Sequence, residues 1–284
     1  MSDRRVAVIT GASSGIGWET ALAYARRGWA VVPAARRAER VEELACLCRQ
    51  AGGEALAVPT DVTREDQVVA LVGRAVGAFG RLDVLVNNAG FGQGGLVQEV
   101  SDRLMRDIFD VNFFGVFYGC KAAIPVMIAQ RSGHIFNVSS VIGKRGTPMN
   151  GAYCATKFAV AGLTESMRVE LAPLGIRVTL VCPGLTDTEF FEQVRETDGS
   201  TSRTRPPDPT GRPSRARISF QRLRTLMPAR AVARRIVSAT GRNVPEMVLT
   251  LGGKVLVAAS KLSPRLTDWM LGFYRDDLAK GGEK

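Results

Sequence analysis

The sequence predicts an α/β fold, a doubly wound parallel β-sheet with helices on both faces. Short apolar runs alternate along the chain with helical stretches, which is the pattern of βαβ units. The first apolar run passes directly into a glycine-rich turn and a helix start, an arrangement that builds anion sites. The 284 residues are long for one domain, but they suit an α/β domain with a C-terminal extension and can bury a large core.

Val6-Ala7-Val8-Ile9 opens the sheet. Its unbroken apolar character reads as a parallel strand over 5–10, buried on both sides. A helix over 15–27 starts inside the turn that follows. Further strands are expected near 30–35, 54–58, 82–87, 133–138, 176–181 and 245–250. The connecting helices fall near 38–51, 64–79, 101–130, 152–173 and 228–240. Pro33 removes a ladder donor from the second strand and predicts a bulge or an irregular start there. Two more helical stretches, near 252–262 and 264–278, come after the last strand. No internal repeat is evident. The expected division is a domain over 1–250 and a helical extension over 251–284.

Two groups of residues carry chemistry. The turn Thr10-Gly11-Ala12-Ser13-Ser14-Gly15-Ile16-Gly17 has G-x-x-x-G-x-G spacing. Its glycines let backbone approach a pyrophosphate, and the helix end presents N–H groups to it. An ordinary βα turn is the alternative, which the position after the first strand disfavours. Tyr153 and Lys157 are an i, i+4 pair, so on a helix they share one face. An ammonium beside a phenol lowers the tyrosine pKa from about 10, and a tyrosine so tuned exchanges protons near neutral pH. Such pairs are also common on solvated helices. Ser140, upstream, adds a hydroxyl that can bond the same substrate oxygen.

Thr10 to Gly17, Asn87-Asn88-Ala89-Gly90, Asn112, Ser140, Tyr153, Lys157 and Pro183-Gly184 together give the chain a resemblance to the short-chain dehydrogenase/reductase family, from about Arg4 to about Thr188. The resemblance implies a Rossmann-like domain, a nicotinamide cofactor and hydride transfer between a carbonyl and an alcohol. It makes Tyr153 the acid in reduction and the base in oxidation. Lys157 would lower the Tyr153 pKa and hold the nicotinamide ribose, and Ser140 would orient and polarise the carbonyl. Asn112, inside the 101–130 helix, would hold a water that reaches Lys157; its plainer reading is a helix-interior amide bonded to backbone. Ser139 competes with Ser140, which has the family's offset from Tyr153. Cofactor contacts implied in the same way are Gly11, Ser13, Ser14, Gly15, Ile16 and Gly17 at the phosphates, and Asp61 and Val62 at the adenine. Asn88, Ala89 and Gly90 would lie against the adenosine ribose. Pro183 and Gly184 would border the cofactor at the end of the sixth strand, where Thr186 would offer backbone to the carboxamide and Thr188 its hydroxyl to the carboxamide or a phosphate. Asp61 also reads as a helix N-cap.

Ala35 stands where similar NAD-dependent enzymes carry an aspartate, and Arg36 follows it. A guanidinium suits a 2′-phosphate, which favours NADP(H) over NAD(H). Arg37 or Arg40 shares that role or is a solvated helix charge.

Composition narrows the alternatives. Cys46, Cys48, Cys120, Cys154 and Cys182 are odd in number and follow no signal peptide, which predicts reduced thiols in a cytoplasmic protein. No metal site is expected. His134 is the single histidine, which removes Ser-His-Asp and Cys-His catalysis and histidine-rich metal sites; it is expected to cap the start of a strand. The proline-rich segment over 189–226 should cover the substrate, and between Arg195 and Arg235 lie eleven arginines and three acids. That segment reads as a solvated loop or as a docking surface for an acidic carrier protein, a CoA nucleotide or a membrane. Interleaved aromatics are missing, which argues against nucleic acid.

The apolar run in Leu251–Tyr274 is too short to span a bilayer. It suits amphipathic helices that close the substrate pocket, pack on a partner subunit or lie on a membrane, and its character suggests a lipophilic substrate. The leading function is an NADP(H)-dependent carbonyl reductase. The alternatives are a 3-oxoacyl-thioester reductase and a non-catalytic NADP(H)-binding sensor, a type that usually loses the tyrosine or lysine kept here. The resemblance implies a homo-oligomer that pairs through the 101–130 and 152–173 helices.

Overall fold

Successive residues of β1 (Val6–Thr10) are buried to opposite sides. Val6 and Val8 join one core, Ala7 and Ile9 the other, the two-residue period of a strand covered on both faces. The computed structural model describes residues 4–190, 194–195 and 226–279. The arginine-rich stretch 196–225 and the docking role considered for it lie outside the described residues.

One core packs α3 (Glu65–Phe79), α5 (Gly115–Gln130) and α6 (Gly151–Leu171) against the sheet. The other packs α1 (Gly15–Ala25), α2 (Ala38–Gln50) and α7 (Ala229–Ala239). The main sheet also contains β2 (Ala30–Ala35), β3 (Glu54–Ala55), β4 (Val58–Pro59), β5 (Val84–Asn87), β6 (Gly133–Val138), β7 (Ile176–Cys182) and β10 (Glu246–Val248). Its order is β10-β7-β6-β5-β1-β2-β3, with β4 also on β2 and every pairing parallel. β8 (Thr186–Asp187) and β9 (Met227–Pro228) form a separate small sheet. The chain therefore has the doubly wound parallel α/β fold its sequence predicts.

Two departures have local causes. The strand expected over 54–58 is split into β3 and β4, and this split accommodates Pro33. β2 itself is regular and pairs with β1 through Ala30–Ala34. The carbonyls of Val31 and Ala35 face the outer strands, where they accept from Leu56 and Thr60. Pro33 shares their parity, so its missing donor falls in the gap between β3 and β4. The irregularity that proline requires is thus in the partner strand, and β2 carries no bulge. The helix expected over 101–130 is α4 (Asp102–Phe109) joined to α5 by a π-turn over Asp110–Phe114. Such turns cluster at functional sites, and this one contains Asn112.

His134 is buried within β6 and caps no strand. The Thr179 hydroxyl donates to Val244 O at 2.6 Å, so His134 Nε2 must donate to Thr179 Oγ1 across 2.8 Å. Nδ1 accepts from Gly241 N–H at 3.1 Å. The ring is therefore neutral, and burial, aided by Arg177, holds its pKa down at about 3. The unfolded chain binds a proton at this histidine below about 6.5, and the folded chain does not until about 3. Stability should therefore fall as pH drops through that window, by up to ~1.4 kcal/mol per pH unit. Urea unfolding between pH 7 and pH 4 tests this, with His134→Gln as the comparison. An equal pH slope in the variant would reject the assignment.

Candidate active site

The C-terminal ends of β1, β5, β6 and β7 open into a cavity of about 1260 Å³, beside the point where strand order reverses across β1. Its floor is the glycine-rich turn. A Cβ on Gly11, whose φ is +63°, would stand 2.7 Å from Ala89 Cα, and one on Gly17 would stand 2.5 Å from Gly11 O. Backbone therefore meets backbone with no room for a side chain. Ser14, the N-cap of α1, makes no capping bond with its side chain, while Gly15 and Ile16 line the cavity. An open helix N-terminus over a bare backbone cradle fits a pyrophosphate.

Asn88 braces this turn. Its Nδ2 donates to Thr10 O and Gly11 O at 3.0 and 3.2 Å, and its backbone N–H bonds Thr10 Oγ1 at 3.0 Å. Asn88 and its neighbours Ala89 and Gly90 line the cavity, but the Asn88 amide itself is committed to the turn. Asp61 is not a helix N-cap: it closes a turn before α3 by accepting from Thr63 N and Thr63 Oγ1 at 3.0 and 2.9 Å. Asp61 and Val62 border the cavity with Ala35, Arg36 and Arg37. Arg36 is exposed. Arg37 donates to Ser13 Oγ at 3.0 Å and to Glu189 Oε2 at 3.0 Å, tying the turn to the segment after β7. Thr188 in that segment sits over Gly15, and Pro183, Gly184 and Thr186 complete this wall.

α6 brings Tyr153 and Lys157 to the same cavity, both buried. Gln93 helps start this helix, accepting from Ala152 N at 3.2 Å. Ser140 follows β6 and lines the cavity with Tyr153, and its hydroxyl accepts from Ile142 N at 3.3 Å. Ser139 instead donates to Lys157 O at 2.8 Å, so its hydroxyl is committed to α6. Lys157 Nζ donates to Val138 O at 2.9 Å and lies 5.7 Å from the Tyr153 ring centroid. Asn112 is fully buried. Its Oδ1 accepts from Phe91 N and its Nδ2 donates to Phe91 O, both at 2.9 Å, with Thr156 Oγ1 a further acceptor at 3.2 Å. That side chain is satisfied by protein, as in the plainer reading of the residue.

The electrostatics differ from the sequence expectation. Burial pushes the Tyr153 phenol well above its ordinary range, and the Ser140 hydroxyl opposes this only in part. Lys157 does not bring the phenol back to its ordinary range, because burial lowers the lysine itself to about 8 and its ammonium bonds Val138 O. A buried, proton-bearing phenol and a lysine that titrates near neutral pH form a proton-handling pair.

Several residues that line the site were not individually assigned to it from the sequence. Phe190 stacks edge-on to Tyr153 with 5.7 Å between centroids. Arg195 lies over Phe91 and pairs with Asp107. The two helices after β10, α8 (Leu251–Leu262) and α9 (Pro264–Ala279), add Leu251, Leu256 and Leu271 to the wall. A Cβ on Gly253 would fall 2.5 Å from Val141 Cγ2, so α8 sits directly against the turn that follows Ser140. The apolar spacing of the tail was visible in sequence, but the surface it would meet was not.

The comparisons agree with this geometry. A family model described as short chain dehydrogenase matches residues 5–199. The chain is 46% identical over 185 residues to the cis-4-hydroxycyclohexanecarboxylate dehydrogenase of Sinomonas cyclohexanicum, covering 65% of this chain and 74% of that one. It is 41% identical over 197 residues to the 3-oxoacyl-[acyl-carrier-protein] reductase FabG of Staphylococcus aureus, covering 69% and 80%. The crystal structure of a short-chain dehydrogenase/reductase from Burkholderia phymatum in complex with NAD superposes with a TM-score of 0.80 at 31% identity, over 93% of this chain and 95% of that one. With the sheet order, the glycine cradle and the Ser140–Tyr153–Lys157 cluster already in place, these matches show that the chain belongs to the short-chain dehydrogenase family of oxidoreductases.

Proposed function

We propose that this protein is an NADP(H)-dependent oxidoreductase that interconverts a ketone or aldehyde and an alcohol, acting on a lipophilic small molecule. The observation that carries the reading is the convergence of Tyr153, Ser140 and Lys157 where the glycine-floored half of the cavity meets the half walled by Phe190, Leu251, Leu256 and Leu271. Bound in the first half, a nicotinamide dinucleotide supplies the hydride. Tyr153 gives its phenolic proton to the substrate oxygen in reduction and takes it back in oxidation. The Ser140 hydroxyl bonds the same oxygen and fixes its position. Lys157, as the ammonium, stabilises the phenolate left behind.

Support for NADP(H) comes from the end of β2. Ala35 offers no carboxylate to a ribose diol, and Arg36 and Arg37 border the cavity there. Cofactor titration by fluorescence tests this. NADPH should bind about 10- to 100-fold more tightly than NADH, the worth of charge-assisted hydrogen bonds, and Arg36→Asp should reverse the order. Tighter NADH binding by the unmodified protein would overturn the assignment.

The FabG relative supports a second reading, reduction of a carrier-bound 3-oxoacyl thioester. An acyl chain would suit the same apolar wall. The reading also includes a homo-oligomer formed through α5 and α6, which is supported by the exposed Phe117 and Ile128 on α5, Phe158 on α6 and Phe114 in the π-turn before α5. A reducing, cytoplasmic setting is supported by all five cysteines being free thiols.

A further inference from the structure

The outward side of the last two helices is apolar. Leu251, Val255 and Leu262 are exposed on α8, and Leu266, Trp269 and Met270 on α9, with Leu262 and Trp269 keeping 87% and 63% of their surface. Their spacing, four and eleven residues from Leu251 and then three and four from Leu266, gathers each set on one side of its helix. Single exposed apolar residues are ordinary, but a cluster on two consecutive helices marks a contact surface.

Charge identifies what that surface meets. Lys254, Lys261 and Arg265 are exposed among the apolar residues. Asp268 is the only acid between Leu251 and Gly272, and it is bound by Arg145 from the loop after Ser140. From Leu251 to Gly272 the face is thus apolar and cationic, with Asp268 held by Arg145; beyond it the α9 sequence adds Arg275, Asp276 and Asp277. A second copy of the chain docked here would bring an identical face, with Lys254, Lys261 and Arg265 again in excess of Asp268, and so offers these cations little counter-charge. An anionic bilayer surface supplies both missing elements, acyl interior for the leucines and tryptophan and phosphate charge for the lysines and arginine.

We propose that α8 and α9 dock this protein on an anionic phospholipid surface. The helices that face the bilayer are the same helices that wall the cavity, and Leu251 belongs to both sides, exposed and yet lining the cavity mouth. Docking would therefore place the mouth of the site at the acyl boundary, where lipophilic molecules concentrate.

Flotation of the full-length protein with vesicles tests this without turnover, so its outcome is separate from that of the proposed reaction. Phosphatidylcholine vesicles doped with phosphatidylglycerol should carry the protein upward in the gradient, and pure phosphatidylcholine vesicles should carry much less. Leu262→Glu/Trp269→Glu should cut partition to the doped vesicles by about tenfold or more. Lys254→Glu/Lys261→Glu, which leaves the apolar residues in place, should do the same. Circular dichroism establishes that both variants are folded. No flotation of the unmodified protein would overturn the proposal. So would equal flotation of both folded variants, which would put binding elsewhere on the chain. Loss of a dimer in Leu262→Glu/Trp269→Glu without vesicle binding by the parent would assign the face to a second copy instead.

Discussion

Tyr153→Phe should lower kcat/KM for carbonyl reduction by about 10²- to 10⁴-fold, the usual worth of a positioned general acid. The substitution keeps the ring, its edge contact with Phe190 and its burial in α6, and removes only the phenolic oxygen. Cofactor affinity and unfolding free energy should therefore change little. The pH profile gives a second readout. With burial holding Lys157 at about 8, the ammonium is present below that pH and lost above it. A neutral lysine cannot stabilise the phenolate formed as the proton leaves Tyr153. In the parent, kcat/KM at subsaturating cofactor should fall as pH rises through about 8, and the residual rate of the variant should lack that step. Tyr153 itself sets no limit in this range, because its shift is upward and it keeps its proton. Activity in Tyr153→Phe within a few-fold of the parent would remove the tyrosine from the chemistry.

Gly17→Ala should destabilise the fold by about 3 kcal/mol or more, at the upper end for overpacking. A Cβ at this position lies 2.5 Å from Gly11 O, 2.7 Å from Asn88 Nδ2 and 2.9 Å from Ala12 Cα. Two of these are backbone, and the third is held by its bonds to Thr10 O and Gly11 O. Nothing there can rotate away, so relief requires the turn to lift from α1, and the pyrophosphate cradle is lost with it. Gly73→Ala is the control. It lies inside α3 with open space around its Cβ, and it should gain about 0.5–1 kcal/mol from the lower entropy of the unfolded chain. Urea unfolding and cofactor titration of both variants decide the matter. Equal stability of Gly17→Ala and the parent would show that the turn is loosely held.

The parts of this molecule legible in sequence are those fixed by short-range rules. β1 announces itself as an apolar run, the glycine turn by spacing, and Tyr153 with Lys157 by a helical offset that needs only α6 to exist. The parts that were not legible depend on partners remote in sequence. Pro33 reads as a defect until the split between β3 and β4 is known. His134 reads as a strand cap because Thr179 and Gly241, which fix its tautomer, lie far along the chain. Arg37 and Arg36 look equivalent in sequence, and only the fold brings Ser13 and Glu189 to Arg37. The lowered Lys157 follows from burial, which an i, i+4 offset does not specify. Lining by Leu256 and Leu271 was one of three fates open to an amphipathic tail, and the choice required knowing where β10 ends.

The sheet order has a consequence for how the chain reaches this state. β1 is the first strand of the sheet in chain order, yet it is flanked by β2 and by β5, which cannot be placed until α1, α2 and α3 have been made. β7 has one neighbour in β6 and receives the other, β10, only after the more than sixty residues between Cys182 and Glu246 have been made. Pairings between such distant segments incur loop-closure entropy before they return any burial. A nascent chain that ends short of Glu246 therefore carries a finished β7 with an open edge, the kind of surface that invites intermolecular pairing. Completion of the sheet thus waits on its last strand, and the helices that wall the cavity follow that strand directly in the chain.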